Sequence, residues 1–170
     1  MTLDDDSQIG LTSILYTAEA TVDFGREGKG YIEGVKGDFD LVKPPGMGGV
    51  ESTEGVNPEQ LFALGYAACF HGSLLFVSRR EKIDLQNSTV TASVSIGPRE
   101  TGGNGLGVTL VANLPEVDAH EAQKLMEAAH QVCPYSKAIG GNVLVKLVVS
   151  DSVKDCSEPI ASLNDGGDSR

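Results

Sequence analysis

The residues from Asn57 to Phe70, NPEQLFALGYAACF, constrain the fold of this chain more than any other stretch. The first of them is a good helix N-cap, Pro58 suits the first helical position, and Gln60 stands where a capping box places Glu or Gln. Apolar side chains then continue on almost every face until Ser78. A helix of this kind is buried on most sides, which predicts that Cys69 is buried or nearly so.

Charge and cysteine content exclude several classes of protein. The chain of 170 residues has a formal net charge of -11, which argues against nucleic acid and anionic membranes as partners. It shows no secretory leader and no run of about 18 apolar residues, so we expect a cytoplasmic protein that does not enter a membrane. Three cysteines form no paired framework, which favours reduced or redox-active thiols.

The pattern of elements predicts an α+β fold. We expect a flexible terminus over residues 1–12, a single domain over 13–149 and a polar, disordered tail over 150–170. Strands are predicted at 14–24, 31–35, 39–42, 88–96, 107–114 and 142–149, with a long Pro- and Gly-rich loop over 43–56. Asp118 and Glu121 predict the start of a second helix that runs toward Cys133, where Pro134 interrupts it. This order gives an antiparallel sheet with a central buried helix.

Two further motifs accompany the central helix. The run CPYSKA begins at Cys133, and the stretch YTAEATVDFGREG occupies residues 16–28. With NPEQLFALGYAACF, these residues resemble the organic hydroperoxide resistance branch of the OsmC family of thiol peroxidases, over roughly Leu15 to Val149. The resemblance implies an OsmC-like fold and an intertwined homodimer. The chain departs from the family pattern at residues 139–142, Ile-Gly-Gly-Asn, where Thr-Arg-Gly-Asn is common, and at the variable positions His71 and Gly72.

A thiol peroxidase needs an ionised cysteine, and the position of Cys69 does not favour ionisation. The residue lies in mid-helix, where the macrodipole has little effect, and burial raises a thiol pKa. A cation from elsewhere in the chain is therefore required. The resemblance implies that Arg26 stabilises the thiolate and that Glu59 pairs with this arginine. Glu59 and Cys69 are ten residues apart, about 15 Å along a straight helix. Either the helix breaks near Gly65, or Arg26 spans the gap, or the partner subunit contributes.

The resemblance also implies a second thiol and an external reductant. Cys133 is the expected resolving cysteine, which forms a disulfide with oxidised Cys69. The disulfide would be reduced by a dithiol of the dihydrolipoamide type carried on lipoylated proteins, with no bound cofactor and no metal. The apolar neighbours Phe62, Tyr66 and Phe70 suit organic hydroperoxides, including fatty-acid hydroperoxides.

Other functions are compatible with the same residues. A Cys-His hydrolase or transferase would use His71 or His130, the second of which is three positions before Cys133. A zinc site is disfavoured because the cysteines show no CxxC spacing. A non-enzymatic dimer that binds hydrophobic ligands or senses redox state would use the same apolar pocket and disulfide without turnover. Cys156 is interpreted as a spare thiol in the tail.

Overall fold

A computed structural model describes residues 11–50 and 54–150. The chain divides into two compact units, Met1–Pro58 and Glu59–Arg170, each with its own sheet. The expectations for the extreme N-terminus, for residues 151–170 and for Cys156 lie outside the described residues, and the single-domain boundaries stay a prediction.

The first unit contains a small antiparallel sheet of three strands. Strand β1 (Ala20–Val22) pairs with β2 (Lys29–Ile32), and β2 pairs with β3 (Phe39–Asp40). All three strands were expected and all differ in extent from the prediction. The strand predicted over 14–24 is only three residues long in the structure, because it pairs with β2 over three residues. After β2 the chain turns at Gly34 and Gly37, which both have positive φ.

The segment after β3 is folded more compactly than a long loop. Leu41 and Val56 form an isolated parallel bridge, and Leu41 is the only buried apolar side chain among the described residues of this unit. Between them, Pro45–Met47 form a short 3-10 turn. The Gly48 amide donates to the Pro45 carbonyl and the Gly49 amide to the Pro44 carbonyl, and these hydrogen bonds close the turn. The first unit is therefore held by turns and backbone hydrogen bonds more than by an apolar core.

The second unit begins with the predicted long helix. Helix α1 runs without a break over Pro58–Arg80, 23 residues in all. The predicted helix is confirmed, and the break near Gly65 is excluded. Burial is less complete than predicted: Leu61, Leu64 and Phe76 are exposed, and Cys69 is only partly buried.

Helix α1 is also the only helix among the described residues with the length and hydropathy needed to cross a membrane. No such span was expected, because the sequence contains no run of about 18 apolar residues. A core helix of a globular protein has the same length and hydropathy, so this finding alone is weak evidence for a membrane.

A three-stranded sheet and two further helices complete the second unit. Strands β4 (Thr89–Pro98) and β5 (Asn104–Asn113) form the predicted antiparallel hairpin. Helix α2 (Ala119–Val132) starts at the predicted cap, where the Asp118 carboxylate accepts hydrogen bonds from the His120 and Glu121 amides. Helix α3 (Pro134–Ile139) and strand β6 (Leu144–Ser150) follow.

Strand β6 pairs with β5 in parallel, which differs from the expected all-antiparallel sheet. The two helices between β5 and β6 form a crossover, and such a connection returns the chain to the same end of the sheet. The fold is α+β, with one mixed sheet in this unit.

The apolar core of the second unit lies between the sheet and the helices. Its fully buried members come from three elements: Tyr66, Phe70 and Leu74 of α1, Leu110 and Ala112 of β5, and Ala122, Met126 and Ala129 of α2. Cys133 belongs to the same buried cluster, and Cys69 packs against it. The core therefore brings both cysteines to one place.

Candidate active site

Two thiols form the centre of the candidate site. Cys69 lies in the middle of α1 and is partly buried, whereas Cys133 is fully buried. Their Sγ atoms are 3.5 Å apart, although the residues are 64 positions apart in sequence. Both are free thiols. A disulfide between them would need only a small approach of the two sulfur atoms.

The junction between α2 and α3 fixes the position of Cys133. Its amide donates to the Ala129 carbonyl at 2.9 Å and ends α2, while its own carbonyl accepts from the Lys137 amide at 3.0 Å and starts α3. The residue itself is extended, and Pro134 occupies the first position of α3. The predicted interruption by proline therefore turns the Cys133 side chain out of the helical repeat.

The two thiols differ in their ease of ionisation. Burial raises the pKa of Cys69, the Tyr135 amide partly offsets this, and hydrogen bonding with Cys133 raises it further. Burial also raises the pKa of Cys133, but this effect is outweighed by hydrogen bonding. The groups responsible are the Ser136 amide and hydroxyl, Cys69 and the Tyr135 amide, and the net effect lowers the pKa of Cys133. The Cys133 side chain makes no capping hydrogen bond at the start of α3. Within this unit, the thiolate is favoured on Cys133.

Tyr135 and Ser136, which follow Cys133 closely, also belong to the site, although the sequence analysis did not predict a role for either. The Tyr66 and Ser136 hydroxyls are 2.8 Å apart and form a buried hydrogen bond. The Tyr135 ring stacks on Phe62 with 6.0 Å between ring centroids, and it also lies 5.9 Å from the ring of Tyr66. The run CPYSKA contained both Tyr135 and Ser136, and the short helix that follows Pro134 could have indicated that they face the same side as the cysteine.

The three predicted substrate-binding residues occupy different environments. Phe70 and Tyr66 are fully buried, and Phe62 is half-buried with its ring edge-on to Tyr66. Tyr135 lies at the rim of the same cluster and is 39% exposed. Phe62 and Tyr135 are therefore the aromatic rings of this cluster that are accessible from outside.

Arg26 belongs to the first unit, in the turn between β1 and β2. Residues Gly25–Glu27 form one 3-10 turn, and Phe24 before it adopts a left-handed conformation. The Arg26 Nη1 atom donates to the Met47 sulfur at 3.9 Å, and the Glu27 carboxylate pairs with Lys43. Only glycine fits at position 28 of this turn, because a Cβ atom there would overlap the Asp23 carbonyl oxygen. The 3-10 turn at Pro45–Met47 and its flanking residues therefore hold the arginine turn in shape.

Glu59 lies in the first turn of α1 and is half-buried. Since α1 is continuous, Glu59 and Cys69 are about 15 Å apart along the helix axis. With a helix break excluded, either Arg26 spans this distance or a partner subunit contributes. The roles of Arg26 and Glu59 stay predictions.

The histidines do not form the alternative Cys-His pair. His71 Nε2 hydrogen bonds to the Ser88 hydroxyl at 3.0 Å, and burial lowers the pKa of its ring. His130 Nδ1 is buried and has no hydrogen-bond partner among the described residues. In the same part of the chain, no three His, Cys, Asp or Glu side chains come together as a metal site.

Comparison with known proteins identifies the family. The model of the OsmC-like protein family matches residues 49–148. The organic hydroperoxide resistance protein OhrB of Bacillus subtilis is 46% identical over 134 residues, which cover 78% of this chain and 96% of the relative. The chain belongs to the OsmC family. A second member, the organic hydroperoxide resistance protein of Xanthomonas axonopodis pv. citri, is 44% identical over 81% of this chain and 96% of its own length.

A solved structure agrees with this assignment to the OsmC family. The crystal structure of an organic hydroperoxide resistance protein from Elizabethkingia anophelis, with thiocyanate bound, is 46% identical. It superposes with a TM-score of 0.75 and covers 84% of this chain and all of the other. The resemblance in sequence to the organic hydroperoxide resistance branch of the family is thereby confirmed, as is the α+β fold.

Proposed function

We propose that this OsmC-family protein protects against organic hydroperoxides by reducing them to alcohols, with Cys69 as the attacking thiol and Cys133 as the resolving thiol. Two members of the family that are 46% and 44% identical to this chain carry the name organic hydroperoxide resistance protein. The observation that carries the mechanism is the pair of free thiols, 3.5 Å apart in a buried setting.

The first half of the reaction is a two-electron oxidation of Cys69. Its thiolate attacks one peroxide oxygen, an S–O bond forms, and the O–O bond breaks. The leaving alkoxide takes a proton and departs as the alcohol, and Cys69 becomes a sulfenic acid. Because burial raises the pKa of Cys69, this step needs a stabilising charge. We assign that role to the Arg26 guanidinium, with Glu59 as its carboxylate partner.

The second half restores the thiols. The Cys133 sulfur attacks the sulfenic sulfur of Cys69, an S–S bond forms, the S–O bond breaks, and water is lost. A dithiol of the dihydrolipoamide type then reduces this disulfide and leaves as its own cyclic disulfide. In the cell, the dithiol would be carried on a lipoylated protein, and no bound cofactor is needed.

The aromatic cluster and the exposed face of α1 support the remaining parts of the proposal. Phe62 and Tyr135 would form the apolar wall that receives an alkyl or fatty-acid hydroperoxide, with the buried rings of Tyr66 and Phe70 behind it. The exposed Leu64 of α1 would be covered by a second copy in a homodimer. The free thiols suit a cytoplasmic location.

The test is consumption of cumene hydroperoxide by the purified protein with dihydrolipoamide as reductant. We expect catalytic turnover, and we expect the Cys69→Ser variant to lose it. The Cys156→Ser variant is the matched control, and it should retain full activity. Stoichiometric oxidation without turnover would contradict the enzyme and favour the redox-sensing dimer. A large loss in Cys156→Ser would mean that Cys133 is not the resolving thiol.

A further inference from the structure

The Met47 side chain lies beside the guanidinium group of Arg26. The Arg26 Nη1 atom donates a hydrogen bond to the Met47 sulfur at 3.9 Å, although the two residues are 21 positions apart in sequence. Both residues are partly exposed, so a solute can reach this contact from the solvent. The proposed function uses Arg26 but gives Met47 no role.

Two connections hold the methionine next to the arginine. Met47 ends one 3-10 turn of the first unit, and Arg26 lies at the centre of another. Lys43, which precedes the methionine turn, pairs with the carboxylate of Glu27, the residue after Arg26. This ion pair joins the same two turns as the contact between the guanidinium and the sulfur. The position of Met47 is therefore part of the structure that carries Arg26.

A methionine thioether reacts with the class of compound that the proposed function consumes. Its sulfur attacks one oxygen of an organic hydroperoxide, an S–O bond forms, and the O–O bond breaks. The sulfur loses two electrons and becomes a sulfoxide. The alkoxide takes the hydroperoxide's own proton and leaves as the alcohol. Methionine sulfoxide reductases reverse this change, so the modification can serve as a switch.

Oxidation would strengthen the contact between Met47 and Arg26. A thioether sulfur is a weak hydrogen-bond acceptor, whereas the sulfoxide is polar and presents an oxygen atom. A charged donor such as a guanidinium makes stronger hydrogen bonds than a neutral donor does. Because the sulfur is already 3.9 Å from Nη1, an oxygen atom bonded to it comes within hydrogen-bond distance of the guanidinium.

We propose that Met47 is a site of oxidation by organic hydroperoxides, and that its sulfoxide holds Arg26 on its own turn and makes it less available to the Cys69 thiolate. High concentrations of hydroperoxide would then slow the protein until the sulfoxide is reduced. The effect on catalysis rests on the proposed function, whereas the oxidation of Met47 does not. Met126 serves as an internal comparison, because it is fully buried in the core of the second unit.

Peptide mapping by mass spectrometry tests the oxidation itself. The full-length Cys69→Ser variant, in which the attacking thiol no longer consumes peroxide, is treated with cumene hydroperoxide. The gain of one oxygen atom is then followed at each methionine. We expect Met47 to be oxidised at least about tenfold faster than Met126, whose sulfur is inaccessible. Equal rates, or faster oxidation of Met126, would overturn the proposal.

Activity measurements test the consequence for Arg26. The disulfide form of the unmodified protein is treated with hydroperoxide, its cysteines are reduced with dihydrolipoamide, and kcat/KM for cumene hydroperoxide is measured. We expect a loss of about tenfold relative to untreated protein, because a charge-assisted hydrogen bond competes for the guanidinium. A methionine sulfoxide reductase should restore the activity. Met47→Leu, which has no sulfur to oxidise, should show the same kcat/KM before and after treatment.

Met47→Gln is a second variant that needs no oxidation. Its amide oxygen is a good acceptor at the position of the sulfoxide, so kcat/KM should fall about threefold in untreated protein. An equal loss of activity in treated Met47→Leu and in the treated unmodified protein would overturn the switch, since the damage would then lie at another residue.

A readout without turnover separates this inference from the proposed function. Oxidation of Met47 should slow solvent exchange of the labelled Arg26 side-chain N–H group about tenfold in an NMR measurement, and Met47→Leu should show no such change. Unchanged exchange in the oxidised protein would overturn the hold on Arg26. If the unmodified protein shows no peroxide turnover, the proposed function fails, and the mapping and exchange measurements still decide the role of Met47.

Discussion

The two units of this chain hold their chemistry-bearing residues by opposite means. In the second unit, the cysteine pair belongs to an apolar cluster that involves α1, α2 and the sheet. In the first unit, Arg26 lies on a turn with one buried apolar residue, Leu41, among the described side chains. An apolar core holds the two sulfur atoms close together, whereas turns and polar contacts hold a cation whose burial would carry a large desolvation cost.

The polar contacts of the first unit are exposed and individually weak. Lys29 pairs with Asp38 at 2.7 Å and with Asp40 at 2.9 Å, which raises the pKa of Lys29. Exposed ion pairs of this kind contribute little to stability. The geometry of the arginine turn therefore depends on backbone features such as Gly28 more than on these charges. Substitutions in the two units should have separable effects.

The largest effect is expected from Arg26→Ala. If Arg26 stabilises the thiolate and the leaving oxygen as proposed, its loss should reduce kcat/KM for cumene hydroperoxide about a hundredfold or more. Because burial disfavours the Cys69 thiolate, the residual activity should rise as the pH increases toward the raised pKa of Cys69. The measurement is a pH profile of kcat/KM for the variant and the unmodified protein.

Arg79→Ala is the matched control for this substitution, since Arg79 is an exposed arginine at the end of α1. It should retain normal kcat/KM. Arg26→Lys keeps the charge but loses the planar donor pair, so its activity should lie between the two. Normal peroxide reactivity in Arg26→Ala would remove the arginine from the proposed mechanism.

Core substitutions test the structural side of the comparison. Leu110 is fully buried in β5, and Leu110→Ala should reduce the free energy of unfolding by about 2–5 kcal/mol. Leu41→Ala in the first unit should have a smaller effect because few apolar groups surround it. Chemical denaturation of both variants gives the two values. A larger loss for Leu41→Ala would show that the first unit depends on apolar packing after all.

These two regions also differ in how far the sequence predicted them. Helix α1 and the β4–β5 hairpin were predicted because an apolar helix with a cap and two alternating β-branched runs are strong local patterns. The strands of the first unit were predicted too long because their length depends on where the partner strand turns. The parallel pairing of β6 depends on the crossover path, which no local pattern records.

The candidate site was predictable where a single motif contained it. The pairing of Cys69 with Cys133 came from the family resemblance, and the distance between their sulfur atoms agrees with it. Ser136 and Tyr135 were missed because each looks like an ordinary helix residue until α3 is packed against α1. The Tyr66–Ser136 hydrogen bond joins residues 70 positions apart, so only the folded chain reveals it.

A more moderate effect is expected from Gly28→Ala. The new methyl group would overlap the Asp23 carbonyl oxygen, so the turn that carries Arg26 must open. We expect a loss of about tenfold in kcat/KM, because a small misplacement of a charged group costs part of its effect. Gly46→Ala is the control, since a Cβ atom there has open space in the same unit. An altered rate of disulfide formation in Gly28→Ala would contradict the separation between the two units.

The smallest effect is expected where α3 touches α1. A Cβ atom on Gly65 would lie 3.2 Å from the Tyr135 hydroxyl oxygen, whereas a Cβ atom on Gly72 meets nothing within 4 Å. Alanine is favoured over glycine in both helical positions by up to about 1 kcal/mol. Gly72→Ala should therefore raise Tm, and Gly65→Ala should raise it less because Tyr135 must shift and its stacking on Phe62 loosens. The same shift should change the KM for cumene hydroperoxide about twofold in Gly65→Ala alone. Equal Tm and KM values in the two variants would mean that the close approach of Tyr135 to α1 does not shape the aromatic cluster.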